Sequence, residues 1–413
     1  MTPLTPFQRL VNSLSFQPGE PTVLHAIAPH EWPALLRLTD QTQLTLPLAV
    51  RHREQCPEHV RSRLEQNLAS NAVRHQMLLR EYGWIADALE RRSVEFLFLK
   101  GITHIAPLFV ADRAHRPQYD IDLYCRPESL ESAREALLDA GFTPMARSAR
   151  HVDHLPPMIR NRNWQWRDDY YATDLPLTVE VHFRFWDPAT EQITAPCSDA
   201  FWERRIKRRI DGYELSMLSL ADSICYAALH LMRHLLRGDA RIYHVYEMAY
   251  VLHQTQADDA LWRLWSEQHC GVGVSIEAAA FRFAADWFKC GLHPAAADVI
   301  ANLPSTVTQW FELFSSSPLS RERPNKDELL LHLALASDLR SRSRIVGRRL
   351  LPVRAPRISY PKAITKPCVT LRLKRAVARL AFVLARAVHH LLSFVSLLGS
   401  IVRWKRESRR YAG

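Results

Sequence analysis

Arg116-Pro-Gln-Tyr-Asp120-Ile-Asp122-Leu-Tyr124 is the stretch on which the fold turns. Ile121, Leu123 and Tyr124 give it strand character, and on a strand residues two apart point to the same side. Asp120 and Asp122 therefore share a face. Two carboxylates held together repel unless a cation sits between them. Mg²⁺ suits that position, because it takes one or two carboxylates and completes its shell with substrate phosphates; Mn²⁺ is the alternative. Upstream, the apolar run Val94-Glu-Phe-Leu-Phe-Leu99 reads as another strand, ending at Lys100-Gly101 with a cation and a flexible backbone. A helix-length gap separates the two. A lone Asp-x-Asp is common at solvated strand ends, but the order strand, Lys-Gly, helix, Arg, strand with Asp-x-Asp points to a metal-dependent, phosphate-handling site.

A third carboxylate lies further along. In Thr178-Val-Glu-Val-His-Phe183 the apolar residues Val179, Val181 and Phe183 alternate with Glu180 and His182. This is a period-two strand whose polar face carries an acid and an imidazole. Nucleotidyl transfer needs two carboxylates for the metal and a further one to share a metal or to take the attacking hydroxyl's proton. Glu180 is the candidate in sequence order.

These residues resemble the uncharacterised nucleotidyltransferase family within the DNA polymerase β-like superfamily. That family's pattern runs Leu-Lys-Gly, an Arg a few residues before Asp-Ile-Asp-Leu, a helix ending in Ala-Gly-Phe/Tyr, and later an acid-x-His strand. Here these are Leu99-Lys100-Gly101, Arg116, Asp120-Ile121-Asp122-Leu123, Ala140-Gly141-Phe142 and Glu180-Val181-His182. Leu218-Ser219, His230 and Arg241-Ile-Tyr-His-Val-Tyr-Glu247 resemble the family's helical region, with Glu247 where an Asp is expected. The chain departs from the wider superfamily by carrying Lys100-Gly101 in place of Gly-Ser or Gly-Gly, and Glu180 where the third acid is often Asp.

The resemblance implies an α+β fold with a polymerase-β-like core, a short mixed sheet with helices. It implies in-line attack of an acceptor hydroxyl on the α-phosphate of a nucleoside triphosphate, ATP foremost, with pyrophosphate leaving. Asp120, Asp122 and Glu180 would hold one or two Mg²⁺, and Lys100, Gly101, Arg116 and His182 would meet the nucleotide. The acceptor stays open, because members of one fold modify RNA, proteins and small molecules. The alternative is a non-catalytic descendant that keeps the nucleotide pocket for binding or assembly and attaches through its C-terminus. Three intact acids favour the enzyme.

Four regions follow from the pattern. Residues 1–90 read as helical, with one long helix from Arg61 to Arg91; residues 91–215 form the catalytic core, and residues 216–338 a helical bundle. Residues 339–413 form a basic tail. Ser129–Ala140 reads as a helix stopped by Gly141. Arg147–Asp169, with His151, His154, Trp164 and Trp166, reads as an irregular insertion near the site. In the bundle, Ser219-Leu-Ala-Asp222 marks a helix start. His230 and His234 share a face there, His230 toward the catalytic core, while Arg241 and Glu247 are expected to pair as a brace.

The seven cysteines, at 56, 125, 197, 225, 270, 290 and 368, contain no Cys-x-x-Cys pair, so the spacing indicates neither a zinc ribbon nor a disulfide scaffold. With no basic, apolar leader at Met1, the expected location is cytoplasmic. The net charge of +11 is uneven: from Arg340 onward nineteen Lys or Arg face one acid, Glu407, so the preceding 339 residues carry −7. A mildly acidic core argues against a nucleic-acid surface there, and aromatic residues are too sparse in the tail for a stacking platform. Arg340–Arg357 reads as a linker or strap, and Leu371–Trp404 as a helix. Its most apolar part, Ala387–Val402, is sixteen residues, short of the roughly 20 that span a bilayer, and extension brings in Arg386 and Arg379. A helix lying on the inner face of a membrane, gripping anionic headgroups through its basic flanks, is one expectation; docking on the protein or a partner is the other.

Overall fold

The computed structural model describes residues 4–17, 24–104, 108–145, 153–160, 164–239, 241–269, 274–319, 326–350 and 369–411. Three helices open the chain, α1 (Pro6–Ser13), α2 (Trp32–Thr42) and α3 (Thr45–His52), followed by the 34-residue α4 (Glu58–Arg91). The sheet region runs β1 (Phe96–Leu99), β2 (Asp120–Cys125), α5 (Leu130–Asp139), β3 (Thr143–Pro144), β4 (Met158–Ile159), β5 (Thr178–His182), α6 (Pro188–Glu191), β6 (Ile206–Ile210) and β7 (Tyr213–Met217). Helices then fill the chain: α7 (Leu220–Leu236), α8 (Ile242–Gln254), α9 (Asp259–His269), α10 (Val274–Phe288), α11 (Pro294–Ala301), α12 (Ser305–Phe314), α13 (Asp327–Leu335), α14 (Leu339–Leu350) and α15 (Val369–Tyr411).

The fold is mixed α+β, with the strands ordered β3-β4-β5-β2-β1-β7-β6 in one seven-stranded sheet. β2 runs antiparallel to β1 and parallel to β5, in a register that sets Asp120 beside Thr178, Asp122 beside Glu180 and Tyr124 beside His182. The period of two then divides the sheet. Ile121, Leu123, Val179 and Val181 point to one face and form an apolar core with Leu78, Tyr82, Ile85 and Leu89 of α4 and Leu137 of α5. The acids and His182 point to the other face, toward α7.

Gly83 lies inside α4, where glycine is a poor helix former. A Cβ there would come within 2.3 Å of the Tyr213 ring, so the close approach of β7 requires it. α1–α3 and the first turns of α4 bury Leu10, Leu36, Leu48, Val60 and Leu64 in the same core as α7, α8 and α10. The N-terminal helices and the bundle thus share one core, with the sheet packed between α4 and α7.

Three expectations change. The gap after Lys100-Gly101 holds short 3₁₀ turns, Gly101–Thr103 and Arg113–His115, among its described residues. Within the insertion, His151 lies outside the described residues, but Asp153–Ile159 is not irregular. Phe183 N–H donates to Asp153 O at 2.9 Å, Leu155 N–H donates to Val181 O at 2.8 Å, and β4 adds to the sheet edge. The tail begins with a helix, α14, where a linker or strap was expected. It straps itself down through Ile345, which is buried, and through Arg348, whose guanidinium donates to Thr190 O.

Candidate active site

Backbone positioning comes first. Asn71 and Arg74 of α4 are buried among backbone carbonyls: Asn71 donates to Ala114 O and Arg116 O, and Arg74 to Gln118 O, Ala172 O and Leu175 O. These bonds fix the segments that lead into β2 and β5, and so the height at which Asp120, Asp122 and Glu180 leave the sheet. At the end of β1, Lys100 (φ 49°) and Gly101 (φ 56°) both adopt positive φ. A Cβ on Gly101 would meet the Gln118 amide at 2.3 Å and the Tyr82 hydroxyl at 2.5 Å, so only glycine fits this turn. The strained turn aims Lys100 across the sheet face.

There the Lys100 ammonium lies 2.7 Å from Asp122 Oδ2 and 3.0 Å from His230 Nε2. His182 Nε2 is 3.0 Å from Asp122 Oδ1 and 3.8 Å from Glu180 Oε2. One ligand atom each from Asp122, Glu180 and His182 falls within 4.8 Å of the others. Asp120 leaves the same strand face and feels the charges of Asp122, Lys100 and Arg116. His154 Nε2 approaches Glu180 Oε2 at 3.8 Å from the added edge segment. α7 and α8 roof the site with Tyr226, His230 and His244. His230 faces Lys100, and its ring centroid is 4.6 Å from that of His234 and 4.7 Å from that of His244.

The electrostatics separate the three acids. Burial opposes ionisation of Asp122, but Lys100 and His182 outweigh it and hold its carboxyl well below the usual range. Burial, then the Asp122 charge, raise Asp120. Burial and the two aspartates push Glu180 up to about 8. Burial also keeps His230 and His244 well below the ordinary imidazole value, leaving neutral rings beside the ammonium. The donor set fits a hard divalent cation: carboxylates converge, and burial together with mutual repulsion opposes ionisation of Asp120 and Glu180.

Two pairings differ from expectation. Arg116 does not reach out to hold a phosphate. Its fork binds Glu247, Nε to Oε1 at 2.6 Å and Nη2 to Oε2 at 3.3 Å, and His104 Nδ1 adds a contact at 2.9 Å. A guanidinium buried this deeply needs a bidentate carboxylate. Arg241, the partner expected for Glu247, lies instead 3.6 Å from Asp239. Arg116 is therefore a positioning residue, tying the entry to β2 onto α8.

Sequence reasoning placed His154 near the site but missed its contact with Glu180, and it passed over the buried pair Arg233–Asp153, whose Nη1 and Oδ2 are 2.7 Å apart and which secures the edge segment beside His182. Both depend on contacts across tens of residues with no local periodicity. A separate cavity of about 310 Å³, lined by Arg74, Leu78, Glu81, Arg116, Gln118 and Leu177, lies on the α4 side of the sheet, behind the acids.

No curated protein and no solved structure matches the chain. A family model does, over residues 28–289, a span that contains the sheet, the acids, Lys100 and the His230 helix. By that match the chain belongs to the uncharacterised nucleotidyltransferase family.

Proposed function

We propose that the protein moves a nucleoside monophosphate from a nucleoside triphosphate, ATP foremost, to a hydroxyl of an acceptor, on a sheet of the DNA polymerase β-like type. The observation that carries this reading is the parallel β2–β5 register. It sets Asp122 beside Glu180 on the face that also bears Asp120. Asp120, Asp122 and Glu180 would hold Mg²⁺, or Mn²⁺ in its place, which supplies positive charge to the triphosphate and lowers the cost of the developing charge.

The rest is the work of the chain's own side chains. The acceptor oxygen forms a bond to the α-phosphorus while the bond from that phosphorus to the bridging oxygen breaks, and pyrophosphate leaves. Glu180 is more exposed than its neighbour Asp122, with its side chain 24 % accessible against 3 %. It is the group an acceptor hydroxyl can reach, and its deprotonated form takes the hydroxyl proton. Lys100 would offer its ammonium to phosphate oxygens, with neutral His230 beside it at 3.0 Å. His182 orients Asp122 through the 3.0 Å contact. Gly101 keeps the turn narrow enough for this approach.

A second element of the reading is attachment to an anionic membrane surface. α15 contains a segment, Leu380–Glu407, long and apolar enough by length and composition to cross a bilayer. One side of it docks on α12 and α13: Leu397 and Ser393 are buried, Ser400 Oγ donates to Asp327 Oδ1, and Trp404 stacks on Phe314. Leu391, Leu392, Val395 and Val402 remain exposed along the other side. A helix docked on one side over Ser393–Trp404 supports lying in the interface over crossing it.

The experiment is binding of each nucleoside triphosphate, with and without Mg²⁺, to the full chain and to the Asp120→Asn/Asp122→Asn variant. Tight, Mg²⁺-dependent binding lost in the variant supports the reading. Binding indifferent to metal and to the variant contradicts it, and favours a nucleotide-binding assembly protein.

A further inference from the structure

A second cluster of ligating side chains lies apart from the acids and shares no residue with them. Cys197 comes from the 3₁₀ turn Pro196–Ala200, Cys225 from α7, His269 from the end of α9 and Glu277 from α10. One ligand atom from each falls within 4.8 Å of all the others. Cys225, His269 and Glu277 are buried, and Cys197 is half-buried. The two sulfurs are 3.4 Å apart. That is far beyond the roughly 2.05 Å of a disulfide and near the roughly 3.8 Å that two thiolates span at a tetrahedral metal with bonds of about 2.3 Å.

The surroundings are those of a built site. His269 Nδ1 and Glu277 Oε1 face each other at 3.8 Å, and among the described residues neither has a hydrogen-bond partner. On the far side, Glu277 is held by a hydrogen bond and His269 stands beside a carboxylate without hydrogen-bond geometry. His269 Nε2 lies 3.2 Å from Asp222 Oδ1, which Arg204 fixes in turn, and Glu277 Oε2 accepts the Trp265 indole N–H at 2.9 Å. A carboxylate behind a histidine, orienting its ring toward a metal, is the usual outer arrangement of zinc ligands. Buried polar atoms left facing two thiols would otherwise be costly.

We propose that Cys197, Cys225, His269 and Glu277 bind one Zn²⁺ as a closed structural site. Two sulfurs, one nitrogen and one oxygen make a four-ligand set that selects Zn²⁺ over Mg²⁺. The ion ties three helices and a turn together, and α7 also carries His230 to Lys100. Cysteine spacing concealed the site, since its ligands span 80 residues and include no Cys-x-x-Cys pair.

The test is metal analysis of the full chain purified without a chelator or metal resin, followed by Co²⁺ exchange. The expected result is about one Zn²⁺ per chain, retained in Asp120→Asn/Asp122→Asn. Co²⁺ in its place gives intense tetrahedral d–d bands and a thiolate charge-transfer band in the near ultraviolet. Cys225→Ser should lower zinc content at least about tenfold and abolish the charge-transfer band. The wild-type Co²⁺ spectrum decides independently of how that variant folds. A folded wild-type chain with no zinc and no thiolate band overturns the site. So does a Cys197–Cys225 disulfide in non-reducing peptide mapping, or zinc retained by folded Cys225→Ser.

Discussion

Asp122 and Glu180 stand side by side on neighbouring parallel strands, yet their carboxyls lie at opposite ends of the carboxylate range, the first held down by Lys100 and His182 and the second pushed up to about 8 by burial and its neighbours. Folded Glu180 thus binds its proton more tightly than in the unfolded chain, where it titrates near its ordinary value of 4.5. The stability this contributes is fully present below pH 4.5 and is lost as pH rises toward 8. With a chelator present, melting temperature should therefore fall more steeply over that window in wild type than in Glu180→Gln, and Mg²⁺ should restore it. Parallel wild-type and variant melting curves at every pH would contradict the arrangement. Asp122→Asn removes a carboxylate from the cation and the partner of Lys100. Turnover should fall by at least about 10²-fold, the equivalent of several kcal/mol of transition-state stabilisation, with far-ultraviolet dichroism unchanged.

At the scale of elements, α4, α7 and α8 hold the acid-bearing strands of the sheet in place through buried polar pairs. Glu247→Ala leaves the Arg116 guanidinium buried without its carboxylate, a loss of about 3–5 kcal/mol. Urea denaturation should show the midpoint falling accordingly, and an unchanged midpoint would mean the pair does not brace β2 to α8. What the sequence makes legible here is local. Asp-x-Asp, Lys-Gly and Glu-x-His lie within single strands or turns, where a period of two settles which side chains share a face. The long helix Glu58–Arg91 was readable for the same reason. Contacts across long separations were not. Glu247 turns from Arg241, six residues away, to Arg116, 131 residues away, because burial and a bidentate fit decide the pairing. The helix Leu339–Leu350 was hidden by its many arginines, which leave few apolar positions to show a period; only Ile345 is buried in it.

Across the whole molecule, charge and apolar surface are segregated. Residues 1–339 carry −7 and the rest +18, and the exposed apolar side of α15 belongs to the basic part. Anionic vesicles should therefore float with the full chain and release it as salt rises, since exposed charges are screened within about 10 Å at 0.1 M. Leu391→Asp/Val395→Asp should abolish flotation while leaving the melting temperature within a few degrees, because both side chains are exposed. Flotation unaffected by the double change would point to another surface.

The central claim of the proposed function is that Asp120, Asp122 and Glu180, set on one sheet face by the β2–β5 register, form a cation site for a nucleotide. Mn²⁺ tests it most directly, because it takes hard oxygen ligands, has little preference for thiolates and reports its own binding by electron paramagnetic resonance. Titration of the full chain should show bound Mn²⁺ whose affinity increases when a nucleoside triphosphate is added, with both signals lost in Asp120→Asn/Asp122→Asn. Mn²⁺ binding that is identical in the variant, or that ignores the nucleotide, would contradict the account.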